Sequence, residues 1–168
     1  MKKRTLICVL SAVLCLIAVI AVRSSKITGY DGLIAKARKE IKLAEADTIE
    51  MTIAGKSTIN RNTHLFWFIT GNAYQMNRCH PMEFIELEND EYRFVKTYNP
   101  IPRGQDIYVL LWHDGYSFCV NNPKCKTIRI DDYAGVKEIA VTECPFVYYN
   151  ALLPREYTFL DENGEEVY

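Results

Sequence analysis

Cysteine and histidine are the side chains of this sequence best suited to chemistry. Beyond residue 22 they are Cys79, Cys119, Cys125, Cys144, His64, His80 and His113. Zinc sites usually show C-x2–4-C or H-x3–5-H spacing, which these residues lack. Cys79 and His80 are adjacent, so they point to opposite faces of a strand. We therefore predict no metal site and no cofactor.

Other chemical motifs are incomplete. A Cys–His nucleophile pair joins residues distant in sequence, so any cysteine and histidine here would satisfy the search. Gly55-Lys56-Ser57 ends like a phosphate-binding loop, but Glu50 stands where that loop requires its first glycine. The acidic run 161–166 lacks the aspartate ladder of a calcium loop. We predict no catalytic residue, which favours a non-catalytic role over an enzyme.

The four cysteines beyond residue 22 are even in number, which outside the cytosol indicates two disulfides. If the chain turns at residues 121–123 and pairs with the next strand, Cys119 lies opposite Cys125. This register favours Cys119–Cys125 and, by elimination, Cys79–Cys144. Reduced, partly buried thiols are the alternative.

The amino-terminal end carries the strongest signal. Lys2, Lys3 and Arg4 precede an uncharged stretch, residues 5–22, and Arg23 restores charge. As a helix this stretch would extend about 27 Å, close to the hydrocarbon thickness of a bilayer. We predict a retained transmembrane anchor. A cleaved signal peptide is the alternative, although its apolar core is usually shorter.

The basic start stays in the cytoplasm in either case, so the rest of the chain is expected to be extracytoplasmic, or secreted if the leader is cleaved. We divide the chain into the anchor or signal peptide (1–22), a linker (23–30) and a domain (31–168). The part beyond residue 22 carries 17 basic and 21 acidic residues, a net charge of −4. This balance excludes a polybasic nucleic-acid-binding protein, and a 49% hydrophobic content excludes a disordered chain.

Residues 31–46 show helical periodicity, and Asp31 suits the N-cap position. An apolar arc opposes a basic side. The arc contains Leu33, Ile34, Ala37, Ile41 and Ala44, and the basic side contains Lys36, Arg38, Lys39 and Lys42. We expect the arc to dock on the protein's own sheet. A helix lying on the membrane, with its basic side toward the headgroups, is the alternative.

After Asp47 the hydrophobic period changes to two, which predicts strands. Residues 49–53 alternate, and residues 65–69 (Leu-Phe-Trp-Phe-Ile) are apolar on both faces, as in a buried strand. Further strands are predicted at 82–87, 92–97, 136–141 and 146–149. Short strands at this spacing predict an α+β fold: a transmembrane helix, one amphipathic helix, then a mostly antiparallel β domain that forms a sandwich or a partly open barrel.

Asp114-Gly115 predicts a two-residue hairpin loop. With the pairing at 121–123, it places four apolar residues on one core face: Phe118, Val120, Ile128 and Ile130. The opposite face carries Tyr108, Leu110 and Trp112 and is half apolar, so we expect something to cover it. The amphipathic helix is one candidate.

Aromatic residues are numerous, with 11 Tyr, 7 Phe and 2 Trp. Tyrosine is amphipathic and common at interfaces. We single out Tyr108, Trp112, Tyr148 and Tyr149 as a candidate binding face, although such rings also serve simply to pack a core.

These observations favour a membrane-tethered extracytoplasmic module that binds a protein or a glycan and contacts the membrane through residues 5–22. An envelope inhibitor or immunity-type protein is the first alternative. A small extracytoplasmic hydrolase or thiol oxidoreductase is the second, and it requires a pocket that gathers a histidine with Cys79 or with a carboxylate.

Overall fold

The computed structural model of the protein describes residues 26–41, 49–72, 75–88 and 90–167. The predicted anchor, the first residues of the predicted linker and the end of the predicted helix beyond Ile41 lie outside these ranges. Within the described part of the chain, no helix is long and apolar enough to cross a membrane.

The described residues form one helix and twelve strands, and every strand pair is antiparallel. The helix is α1 (Gly29–Ile41). The strands are β1 (Ile27–Thr28), β2 (Met51–Thr58), β3 (Thr63–Asn72), β4 (Gln75–Glu86), β5 (Glu91–Thr97), β6 (Ile101–Pro102), β7 (Ile107–Trp112), β8 (Gly115–Val120), β9 (Thr127–Asp132), β10 (Gly135–Ala140), β11 (Phe146–Asn150) and β12 (Glu156–Leu160). The prediction of a mostly antiparallel β domain with one leading helix is confirmed.

Five strands form one sheet in the order β1-β5-β4-β3-β2. Each of its two faces packs against a different part of the protein. On one face Phe66 and Phe68 pack with Leu33 and Ala37 of α1. The apolar arc of the helix therefore docks on the protein's own sheet, as expected. On the other face the alternate side chains of β3 meet a second sheet, which explains why this strand is apolar on both sides.

The second sheet has four strands in the order β11-β8-β7-β6. Its Leu110, Trp112 and Cys119 pack against Leu65 and Trp67 of the five-stranded sheet. The half-apolar face predicted from the sequence is thus covered, but by a sheet. The suggestion that α1 covers it is wrong, because α1 occupies the opposite face of the five-stranded sheet.

A third sheet, in the order β10-β9-β12, packs on the other face of the four-stranded sheet. Phe118, Val120, Ile128 and Ile130 all lie in the core between them, as predicted. The strand pairing that led to this prediction is wrong, however. β8 pairs with β7 and β11, and β9 pairs with β10 and β12. Residues 121–126 therefore carry the chain between two packed sheets, not around a hairpin.

The hairpin between β7 and β8 is present, with a loop one residue earlier than predicted. Trp112 pairs with Gly115, so the loop is His113-Asp114, and His113 has a φ of 50°. A Cβ on Gly115 would lie 2.2 Å from the carbonyl oxygen of Asn150 in β11. The glycine is thus required where two strands approach closely, and not in the turn.

The described residues form regular structure already within the predicted linker, residues 23–30. Ile27 and Thr28 form β1 by pairing with Tyr92 and Glu91 of β5. The helix starts at Gly29, two residues before the predicted N-cap, and follows β1 directly. Residues 27–30, which we assign to the linker on sequence grounds, thus belong to β1 and to the start of α1.

Candidate functional site

The four aromatic residues predicted as a binding face do not form one exposed surface. Trp112 is fully buried between two sheets, and Tyr149 packs edge-on against it with ring centroids 5.4 Å apart. Tyr148 packs with Phe118 in the other core, at 6.4 Å. Tyr108 is half-buried. These rings contribute mainly to the cores on either side of the four-stranded sheet.

All four cysteines of the domain are free thiols. Cys79 Sγ and Cys119 Sγ are 3.7 Å apart and buried. Cys125 donates to the carbonyl oxygen of Thr127, and Cys144 donates to that of Asn122. The strand pairing from which the Cys119–Cys125 pair was predicted does not form.

Each of the three histidines contacts a different partner. His64 lies 2.7 Å from Glu86 and 2.9 Å from the Thr58 hydroxyl. His80 bonds to the hydroxyl of Thr70 at 2.9 Å. Burial lowers the pKa of both rings. Among the described residues, no group of three or more His, Cys, Asp or Glu side chains is placed to hold a metal ion.

A buried carboxylate that the sequence analysis missed joins the two facing sheets. Glu83 on β4 accepts hydrogen bonds from the hydroxyl of Tyr98 and from Nε1 of Trp112, the latter at 3.1 Å. Nε2 of His113 lies 3.7 Å from the same carboxylate. Burial is the largest cause that raises the pKa of Tyr98, and the hydrogen bond to Glu83 is the second. The signal for this cluster was an acidic residue within an apolar strand run, 82–87.

This cluster and the group of Thr58, His64 and Glu86 are the arrangements described above that most resemble acid–base machinery. The geometry of the Glu83 cluster favours a structural role. The carboxylate is only 6% exposed and accepts bonds from two neutral donors. Buried polar groups need such partners to avoid a large desolvation penalty. Glu83 therefore holds β4 against β7, and its acceptor capacity is largely used inside the protein.

A cleft of about 470 Å³ separates the edges of two sheets. One wall is β6, an edge strand of the four-stranded sheet, and the other is β12, an edge strand of the three-stranded sheet. The lining residues are Pro102, Arg103, Glu156, Tyr157, Thr158, Phe159, Glu166 and Val167. We call this space the β6–β12 cleft.

Tyr157 is the unusual residue of the β6–β12 cleft. Its hydroxyl oxygen is buried and interacts with the neighbouring Arg103 side chain. The guanidinium carbon of Arg103 lies over its ring, 5.5 Å from the centroid, within range of a cation–π interaction. Burial raises the pKa of Tyr157 in spite of this neighbouring positive charge. The hydroxyl is therefore neutral at pH 7 and able both to donate and to accept.

The outer edge of β12 is only partly paired. Val167 donates to the carbonyl oxygen of Phe159 at 2.8 Å, and Asp161 donates to that of Glu165 at 2.9 Å. Alternate residues of a strand turn their backbone groups to the same edge. The N–H and C=O of Tyr157 therefore face the β6–β12 cleft, next to the position that Val167 occupies. An extended chain entering the cleft would find both groups ready for strand pairing.

The fold and the β6–β12 cleft together define a β domain with a polar groove at two strand edges. No known family model matches the chain, and comparisons with curated proteins and with solved structures returned no match.

Proposed function

We propose that the protein is a membrane-tethered extracytoplasmic module that binds a partner and catalyses nothing. Its partner is an extended segment of another protein, which adds as a strand to β12 in the β6–β12 cleft. The observation that carries this proposal is the partly paired outer edge of β12, which lies in the cleft beside Tyr157 and Arg103. The two facing sheets, which meet where β2 lies beside β11, are interpreted as a partly open barrel.

The chemistry of the cleft suits a peptide better than a glycan. Sugar rings stack on open aromatic faces, but the Tyr157 ring lies beneath the Arg103 guanidinium. An added strand gains its affinity from main-chain hydrogen bonds and its specificity from alternate side chains. Tyr157 offers the backbone groups, and the charges of Arg103, Glu156 and Glu166 are available to charged side chains of the partner.

The membrane tether follows from the predicted anchor and the position of β1. Residues 23–26 separate the apolar stretch from Ile27, which is held in the five-stranded sheet. Four residues can span at most about 14 Å, so the β1 side of the domain would lie close to the membrane. Lys26, Lys36 and Lys39 line a hollow there beside Phe94. Lys26 is paired with Glu91 and Lys36 with Glu40, so anionic headgroups would compete with these carboxylates for the lysines.

Binding is tested by photocrosslinking in cells that produce the full chain. A photoreactive phenylalanine derivative at Glu156, an exposed position of the cleft, should give a discrete adduct. The same group at Val95, exposed on β5, is the control and should not give that adduct. Arg103→Ala should reduce the adduct at least fivefold.

Tyr157→Phe separates binding from folding. The substitution removes the interaction of the hydroxyl with Arg103 but keeps the ring that packs against the core, so the thermal transition should change little while the adduct weakens. Equal adducts at both crosslinker positions, or adducts insensitive to Arg103 and Tyr157, would refute the cleft as the binding site.

Membrane placement is tested separately with protease added to spheroplasts of a bacterial host. The domain should be digested from outside, while a cytoplasmic marker protein survives. Resistance of the domain before lysis, followed by digestion after lysis, would refute the extracytoplasmic placement.

A further inference from the structure

We propose that Cys79 and Cys119 are a disulfide-forming pair that closes a covalent bridge between the two facing sheets. Cys79 lies on β4 of the five-stranded sheet and Cys119 on β8 of the four-stranded sheet. Their sulfur atoms are 3.7 Å apart, and both side chains lie in the core between these sheets. The bridge would join residues that no backbone pairing connects.

The positions of the other two cysteines favour this pairing over the alternatives. Cys125 belongs to the core on the opposite side of the four-stranded sheet from Cys119. The four-stranded sheet therefore stands between these two thiols. Cys144 is exposed, and its thiol donates to the carbonyl oxygen of Asn122. Cys79 and Cys119 are thus the thiols that the fold brings face to face.

The bond forms by thiol–disulfide exchange with a small-molecule or protein disulfide as the oxidant. The Cys79 thiolate attacks one sulfur of that disulfide, gives a mixed disulfide and releases one oxidant thiol. The Cys119 thiolate then attacks the sulfur of Cys79 and releases the second. Two thiols lose two protons and two electrons, and the oxidant disulfide becomes two thiols.

Burial determines when this exchange happens. Cys119 is fully buried and Cys79 is 5% exposed, so an oxidant disulfide cannot reach either sulfur once the sheets have packed. The hydrogen bond with Cys79, and after it burial, also raises the pKa of Cys119, which keeps it a poorly nucleophilic thiol in the folded state. The bridge therefore closes while the two sheets assemble. In cells this rests on the proposed extracytoplasmic placement, where such oxidants occur.

The test maps the disulfides of the full chain in two arms. In the first, cells are quenched with acid, and the protein is denatured, alkylated without reductant and digested for mass spectrometry. In the second, purified full-length protein is reduced, opened in denaturant and refolded in detergent with oxidised glutathione. We expect a linked peptide pair containing Cys79 and Cys119 in both arms, with those two thiols at least tenfold less alkylated than after reduction.

Variants make the result specific. Cys125→Ser and Cys144→Ser should leave the linked pair intact, whereas Cys79→Ser should leave Cys119 fully alkylated. If Cys79→Ser fails to fold, the peptide map of the unsubstituted chain still shows whether Cys79 and Cys119 are linked. Complete alkylation of both thiols in the glutathione arm, or links to Cys125 or Cys144 in their place, would overturn the pairing. A link present with glutathione but absent from cells supports the pairing and instead counts against the extracytoplasmic placement.

Discussion

Trp67 on β3 donates a hydrogen bond of 2.7 Å from Nε1 to the hydroxyl of Ser117 on β8. The indole and the serine are both fully buried, and they belong to different sheets. Ser57 on β2 completes the group, with its hydroxyl 2.7 Å from that of Ser117. One small side chain thus satisfies a buried donor and fixes how the five-stranded and four-stranded sheets face each other.

Replacing Ser117 should therefore destabilise the domain. In Ser117→Ala the Trp67 N–H loses its acceptor in a dry interface, which costs about 1–3 kcal/mol of unfolding free energy. Urea titration followed by tryptophan fluorescence measures the loss. Ser57→Ala is the matched control and should cost less, because Ser117 still accepts from Trp67. Equal stability of Ser117→Ala and the unsubstituted chain would show that this bond does not support the sheet packing.

The Glu83 cluster gives a second stability prediction. Glu83→Ala leaves the hydroxyl of Tyr98 and Nε1 of Trp112 without an acceptor, and each unpaired donor costs about 1–3 kcal/mol. Glu83→Gln retains an acceptor oxygen of similar shape and should recover at least half of the loss. Denaturant midpoints of the two variants provide the measurement. If glutamine is no better than alanine, the carboxylate charge itself is required, and the structural role assigned to Glu83 is wrong.

Gly115 should tolerate no side chain. In Gly115→Ala the new Cβ meets the carbonyl oxygen of Asn150 at 2.2 Å, so β8 and β11 must separate. We expect a loss of about 1–3 kcal/mol, as for other overpacked sites. Gly32→Ala is the control, because its Cβ meets a methyl group of Ile27 at 3.2 Å and the backbone of Ile27 no closer than 3.6 Å, and alanine favours a helix. A Gly115→Ala protein that melts at the original temperature would contradict the close approach of the two strands.

Acid should weaken the domain through His64. Burial is the main cause that lowers the pKa of His64 below its ordinary 6.5, and the Lys56 charge adds to it, against the opposing effect of Glu86. The unfolded chain therefore binds a proton more readily than the folded one. The contribution of His64 to stability is complete above pH 6.5 and is lost as the pH falls toward the folded-state pKa.

Unfolding free energies measured between pH 7.5 and about pH 5 test this sign, and NMR titration of the ring gives the folded-state pKa directly. His64→Asn should flatten the pH dependence in this range. His80, whose pKa is also lowered by burial, accounts for part of the remaining slope. A His64 ring that titrates above 6.5 would reverse the prediction.

Local periodicity predicted most of the elements because each strand carries its own pattern of apolar faces. The run 65–69 is apolar on both sides, and the structure places Phe66 and Trp67 in different cores. The predicted β7–β8 register differs from the observed one by two residues along one strand. A shift by an even number of residues leaves every side chain on the same face of the sheet, whereas an odd shift moves it to the opposite face. Phe118 and Ile128 were correctly predicted to lie in one core. The pairing of β8 with β9 from which this was predicted does not form.

The candidate site could not be predicted in the same way. Arg103 and Tyr157 are 54 positions apart in the sequence, and they meet only because β6 and β12 are edges of packed sheets. A strand lies at the edge of a sheet when no other strand pairs with one of its sides. The local sequence pattern of a strand does not predict this. The Cys79–Cys119 contact has the same origin, since these residues lie on strands that face but do not pair.

By itself the sequence determined the apolar amino-terminal stretch, the amphipathic helix and the positions of the strands, because burial imposes a period on neighbouring residues. The tertiary structure decided which strands share a sheet, which aromatic rings are buried and where two edges leave a cleft. Those features depend on contacts between distant segments, whose free energies are set by the packing of whole sheets and not by the residues next to them in the chain.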